Sequence, residues 1–401
     1  MVYKPSGLSS DPAELGALLV LLHGADTAAH TVAVTYRVWR HQTRLTDAFI
    51  ANAEEQKRRG AAISLFSAGR SDGEPEPDER EHTLRIWRDE QRVRVEHDGG
   101  ERDGYYAVSD PPLWWMWDER MGARSNEDDP RVGNNVGQEM EIMLNPTPLL
   151  SSLRFRVTGR SEVAGRATIT THATPRPVDD RFGPSLGLSS LGSGAKYYEL
   201  EIDAQSGLLL AATAVRNDLA FHRITTLAIT LDEPIATDIF RFEPPEGEEI
   251  ISSRDRPRRR NVTLVEAQQL ATFTVLMLDK VPEGWQQMHC NFMAASERPP
   301  SPAQVHVYYS SGDGHESVNI TQMAADGSDG YRRAGDQEDW EEITRDGTTL
   351  KTRPSRWGQA QVQLERDGTF VFLVSDNLTR DQLVNLAFGL RPSPDTSSVQ
   401  S

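Results

Sequence analysis

The serine in Gly183-Pro184-Ser185-Leu186-Gly187 has the spacing G-x-S-x-G, the pattern of a hydrolase nucleophile. That chemistry needs a strand before the serine and a helix after it, so that a sharp turn presents the hydroxyl. Here Val178 to Phe182 precede and Leu188 to Gly192 follow, inside a Gly-, Pro- and Ser-rich stretch from Pro175 to Gly194 that reads as a surface loop. The ten histidines include no H-E-x-x-H spacing, and no glycine loop of the form G-x-x-x-x-G-K-[ST] is present. The single cysteine, Cys290, excludes an internal disulfide framework and a multi-cysteine zinc site, and on a strand its neighbour His289 faces the other way. Acidic clusters at 126–129 and 337–342 lack the alternating oxygen ligands of a calcium loop. The expectation is no catalysis, no metal and no cofactor.

The remaining concentration of chemistry is aromatic. Asp110 to Gly122, DPPLWWMWDERMG, places three tryptophans within four residues. On a strand, Trp115 and Trp117 share a face with Leu113, while Trp114 and Met116 share the other. Both faces are apolar, so either helices cover the second one or the sheet curls around an apolar interior. Core packing is the first reading for Trp114 and Met116, because aromatic clusters more often stabilise than bind.

The elements around this strand follow from periodicity. Asp11, Pro12 and Glu14 open a helix that Gly24 ends, with Leu15, Leu18, Leu19 and Leu22 as its apolar stripe. Val32, Val34, Tyr36 and Val38 then alternate as a half-buried strand, and residues 44–60 are polar and helix-compatible. Leu84 and Ile86, then Val93 and Val95, alternate with arginines across a turn at Asp89-Glu90, and DGYYAVSD continues the meander into the tryptophans. RFRVTGRSEVAGRATITTHATP, KYYELEIDAQSGLLLAATAV and HRITTLAITLDEP add strands. After the basic run Arg254 to Arg260 a second unit offers strands QVHVYYSS and QVQLERDGTFVFLVSD, the latter turning at Arg366-Asp367-Gly368. Its last helix starts at a Thr379/Gln382 capping box, carries Leu383, Leu386, Ala387 and Leu390, and stops at Pro392.

Composition narrows the functional classes. A chain of 401 residues suits two domains, and 37% hydrophobic residues suffice for cores. A formal charge of −17 opposes the phosphate backbone, so no nucleic acid is expected as a partner. No stretch approaches the ~20 apolar residues of a membrane span, and Leu15 to Gly24 lacks the positive flank of a signal peptide. Taken as written, the chain reads as cytoplasmic.

The order of these motifs resembles the LolA/RseB-like lipoprotein-carrier superfamily. The resemblance rests on Asp103-Gly104, Trp115 to Asp118, Asn145 to Leu150, Val163 to Ile169, Leu200 to Leu210 and Ile239 to Gly247, and covers about residues 13–247. The second unit resembles a domain of unknown function that often follows such regions in Gram-positive bacteria, through Val281 to Trp285, Trp357 to Gly368 and Ser375 to Leu390. An excess of 38 Arg over 5 Lys fits a GC-rich, for example actinobacterial, genome.

The resemblance implies an α+β fold: residues 1–250 as an incomplete, curved antiparallel β-barrel with covering helices, a basic linker at 251–262, a small α+β domain at 263–392 and a disordered tail at 393–401. It further implies a non-enzymatic protein holding a lipid, acyl chain or lipoprotein in the half-barrel. Val34, Tyr36, Val38, Ile86, Val93, Val95, Trp115 and Trp117 would then line the cavity. The alternative is an RseB-like regulatory scaffold with a filled barrel that binds a protein partner. The family also implies the cell envelope, if the start site is misassigned.

Overall fold

The computed structural model describes residues 12–25, 29–58, 77–133, 136–176, 186–252, 259–297, 300–313, 316–328, 340–354 and 359–392. Ser185 and the tail at 393–401 lie outside them. The chain forms two compact units that part between residues 252 and 259.

The first unit begins with helix α1 (Pro12–Gly24), strand β1 (Thr31–His41) and helix α2 (Gln42–Arg58). Strands β2 (Glu79–Asp89), β3 (Arg92–Asp98), β4 (Tyr106–Asp110), β5 (Leu113–Trp117) and β6 (Arg124–Ser125) follow. Short helices α3 (Glu141–Leu144) and α4 (Leu149–Ser152) lead to β7 (Leu153–Val163) and β8 (Arg166–Pro175). Helix α5 (Leu186–Gly192) precedes β9 (Tyr197–Asp203), β10 (Leu209–Arg216) and β11 (Leu219–Leu231). All eleven strands form one antiparallel sheet in the order β6-β5-β4-β3-β2-β1-β11-β10-β9-β8-β7, with β6 and β7 at its two ends.

Two-residue turns fix the register. Glu90-Gln91, Ala164-Gly165 and Asn217-Asp218 join their hairpins, with positive φ at Glu90, Ala164, Gly165, Asn217 and Asp218. Positive φ at both central residues gives the turn whose twist matches that of the flanking strands. The β2–β3 turn thus lies one residue beyond the Asp89-Glu90 expected. Bulges interrupt β1–β11, β10–β11, β9–β10 and β7–β8, and bulges bend a sheet. β7 therefore approaches β11, four strands away, where a flat sheet would hold them roughly 19 Å apart. The result is an open, strongly curled half-barrel, the architecture that the resemblance implied.

One face of this sheet carries the core. Leu18 and Leu22 of α1, Ala48 of α2, Ile142, Met143 and Leu144 of α3, Leu149 of α4 and Leu191 of α5 join the buried strand residues in a single cluster. Two sequence expectations are corrected. Leu19 is exposed, because the α1 stripe turns on Leu15, Leu18 and Leu22. Part of the Pro175–Gly194 stretch read as loop is helix α5, with Leu191 only 1% exposed. Glycine and serine make this helix intrinsically poor, and the burial of Leu191 holds it.

The second unit contains β12 (Arg260–Asn261), helix α6 (Leu264–Leu270), β13 (Leu276–Leu278), β14 (Trp285–Met293), β15 (Ser296–Glu297), β16 (Pro300–Ser301), β17 (Gln304–Ser311) and β18 (Ser317–Ala324). Then come β19 (Glu341–Arg345), β20 (Thr348–Pro354), β21 (Ala360–Arg366), β22 (Thr369–Ser375), helix α7 (Arg380–Phe388) and β23 (Leu390–Pro392). Its main sheet runs β12-β14-β17-β18-β22-β21-β20-β19, and α7 packs against β20, β21 and β22. Capping boxes start both α6, at Thr263 and Glu266, and α7, at Thr379 and Gln382. Helix α7 ends at Phe388 rather than running to Pro392, because Leu390 to Pro392 pair with β13. Of the residues expected to form the linker, Ile251 bridges to Arg124 and Arg260-Asn261 form β12, while 253–258 lie outside the described residues.

Candidate functional site

Registered pairs in an antiparallel sheet share a face, so the pairing assigns every expected site residue. Val34 lies opposite Ile86, Ile86 opposite Val95, Val95 opposite Ala107, and Ala107 opposite Met116. Tyr36, Val38 and Val93 belong to the same face by alternation. This is the inner face, and it brings together six of the eight expected residues: Val34, Tyr36, Val38, Ile86, Val93 and Val95.

Trp115 and Trp117 are not with them. Trp115 pairs with Val108, which pairs with Arg94, and Trp117 pairs with Tyr106, which pairs with Glu96. Both tryptophans are half-buried on the outer face, and the Trp115 indole donates to the Glu127 carboxylate at 3.1 Å. Trp114 takes the inner side instead, at 5% exposure. Its backbone N–H donates to Asn126 Oδ1 at 2.8 Å, and its indole donates to the Val132 carbonyl at 3.2 Å. Asn126 is fully buried and also donates to the Pro112 and Val132 carbonyls, so this member of the 126–129 cluster pins a loop.

The inner face is occupied by the chain itself. Tyr36 and Tyr198 are each 1% exposed, and Leu18, Leu22, Met143, Leu149 and Leu191 from the helices fill the space between the arms of the sheet. Burial drives the Tyr36 hydroxyl far above its ordinary range, against a smaller opposing pull from Arg88. Two shallow concavities, about 470 and 430 Å³, lie in the second unit. The larger runs between α6 and β14 past Val262, Leu264, Val265, Met288 and Cys290.

The outer face is polar and strapped. Arg85 meets Glu96 and Asp98, Arg94 meets Glu96, and Arg37 meets Glu81. Residues 237–243 cross β3 and β4: Arg94 donates to the carbonyls of Ile239 and Arg241 at 3.1 and 3.2 Å, and the Tyr106 hydroxyl donates to the Glu243 carbonyl. Phe242 packs on Tyr106 with ring centroids 5.3 Å apart, and Arg92 lies over Phe240.

Sequence reasoning missed the anchorage of α5. His222 donates one ring N–H to the Leu191 carbonyl, Tyr198 donates to the Gly192 carbonyl at 2.9 Å, and Arg216 donates to the Gly194 carbonyl at 2.7 Å. The available signal was alternation in HRITTLAITL, which places His222 on the same face as Ile224. Burial first, then the charge of Arg40, lowers the His222 pKa to about 4. Among the described residues no group of three His, Cys, Asp or Glu side chains could hold a metal ion, and no helix is long and apolar enough to cross a membrane.

No family model and no curated protein matches the chain. It is similar to several solved structures. The Pseudomonas aeruginosa MucA/MucB complex is 14% identical at a TM-score of 0.32, over 94% of this chain and 99% of that one. The Mycobacterium tuberculosis lipoprotein LppX is 14% identical at 0.31, over 57% and 100%. A LolA-superfamily protein from Nitrosomonas europaea is 8% identical at 0.23, over 59% and 99%. At such values the likeness is one of general architecture, and the chemistry rests on this chain's own residues.

Proposed function

We propose that the chain is a non-enzymatic, LolA/RseB-like scaffold that binds a protein partner on its surface, with a half-barrel whose inner face is a structural core. The observation that carries this reading is the filled inner face. Of the six residues expected to line a cavity there, five are at most 4% exposed and Val93 is half-buried, and all join the helix residues Leu18, Leu22, Met143, Leu149 and Leu191 in one core cluster. An acyl chain would have to displace side chains already packed, at about 25 cal/mol per Å² of apolar surface returned to water. The tryptophans that stay partly accessible face outward, in the company of arginines, a composition typical of surfaces that anchor protein partners.

Carriage of a lipid, acyl chain or lipoprotein is the second reading, favoured by one observation: α5, a short glycine-rich helix, is the piece of the cover with the least intrinsic stability. Native mass spectrometry of the purified protein beside its denatured mass separates the two. The scaffold reading expects the bare chain mass, with no tryptophan fluorescence change on adding fatty acid or lipopeptide. A stoichiometric co-purified lipid would overturn it in favour of the carrier.

A further inference from the structure

His222 is 4% exposed and sits where β11, β10, β1 and α5 meet. As a neutral ring it has one N–H to give, and the Leu191 carbonyl at the end of α5 receives it. Its other nitrogen, Nε2, is buried without a hydrogen-bond partner. Protonation would put a second N–H on Nε2, where no acceptor waits, and a positive charge with it.

The surroundings reinforce that cost. Arg40 of β1 lies directly opposite His222 in the register, Ala214 faces it from β10, and His82 of β2 acts on it with the same sign as Arg40. Helix α5 carries no charged residue, and Arg44 of α2 donates to the Ala220 carbonyl two residues away. The charged groups facing the ring from these elements are thus cationic. Gly192 fits closely beside it: a Cβ there would stand 2.9 Å from Phe221, 3.1 Å from Ala214 and 3.2 Å from His222. The end of α5 therefore sits against a buried group that acid would charge.

We propose that His222 is an acid-sensitive latch on α5: protonation releases the helix and bares the apolar slot that Leu191 fills on the inner face, beside Tyr198, Ala214 and Ile224. The other anchors, Tyr198 to Gly192 and Arg216 to Gly194, are not histidines, so release begins at the His222 end. The docked-state pKa lies below the released value, so docking is complete above about pH 6.5 and is lost as pH falls toward 4. Between those limits the released fraction rises about tenfold per pH unit, which is roughly thirtyfold at pH 5. The latch holds whether the inner face serves as core or as cavity.

Hydrogen exchange of the full chain at pH 7.5 and pH 5, corrected for intrinsic rates, tests it. Amides of 186–194 should lose about thirtyfold protection at pH 5, while those of 318–323 in the second unit keep theirs. His222→Asn, whose Nδ2 stands about where the imidazole Nδ1 does and keeps an N–H for Leu191 but does not titrate in this range, should flatten the response. Unchanged protection in the natural chain, an equal loss in His222→Asn, or simultaneous loss at 318–323 would each overturn the latch. If His222→Asn fails to dock at pH 7.5, Arg40→Gln decides. Removing the opposing cation raises the docked-state pKa toward the released one and must move release to lower pH, and an unmoved midpoint refutes the proposal.

Discussion

The two faces of the first unit's sheet are built from the same strands and meet opposite fates. On the inner face Val34, Ile86, Val95 and Ala107 stand in one registered row and are almost completely buried. One residue along each strand, the row Trp87, Arg94, Val108 and Trp115 runs across the outer face beneath ion pairs and a strap. Aromatic density marks the outer row and burial marks the inner one. Area in a side chain and area removed from water are different quantities, since an indole can pack one side of its ring and leave its N–H to a solvated carboxylate, as Trp115 does with Glu127.

The largest test of this contrast truncates two buried residues of the inner face, one on β5 and one on β2. Trp114→Ala should cost about 3–5 kcal/mol, because it empties a buried site and strips Asn126 and Val132 of a closely packed neighbour. Ile86→Ala, in the middle of the inner row, should cost about 2–5 kcal/mol. Urea unfolding followed by hydrogen exchange in β1 and β2 reads the first unit separately, which a two-unit chain requires. Losses below about 1 kcal/mol at both positions would mean that the inner face is loosely filled and would reopen the carrier reading.

A smaller effect probes the cover. Gly194 has φ +88°, and a Cβ there would stand 2.1 Å from the Ala48 carbonyl oxygen. Gly194→Ala should therefore destabilise the docking of α5 by about 1–3 kcal/mol from backbone strain, with the clash in addition. Gly165→Ala also meets a positive φ, but nothing lies within 4 Å of its Cβ, so it should cost only about 1 kcal/mol. Thermal unfolding of the two variants side by side checks the order, and reversal of it would place α5 off the sheet.

Much of the fold was legible because period-two patterns are local. The alternation Val32, Val34, Tyr36, Val38 predicts the face that the register confirms, and the Thr379/Gln382 spacing marks the start of α7. What was not legible depends on distant partners. Helix α5 has a loop's composition and is a helix because Leu191 finds a slot among β9, β10 and β11. The two tryptophans expected in the cavity follow strict alternation, and alternation alone does not say which face the helices cover. His222 carries no motif, and its significance comes from Arg40 and Leu191, which are 182 and 31 residues away in sequence.

Trp115 gives the smallest and most discriminating prediction. Its indole bond to Glu127 is exposed, so the bond contributes about 0.5–1.5 kcal/mol at most, and the ring is only half-buried. Trp115→Ala should therefore cost about 1 kcal/mol, several times less than its neighbour Trp114→Ala, and should leave the exchange of 186–194 untouched. A loss of 3 kcal/mol or more would show that the outer row is a second core sealed by residues 237–251, with Val108 and Trp117 as its other walls. In that case both faces of the sheet would be structural, and a partner would have to dock on the strap rather than on the tryptophans.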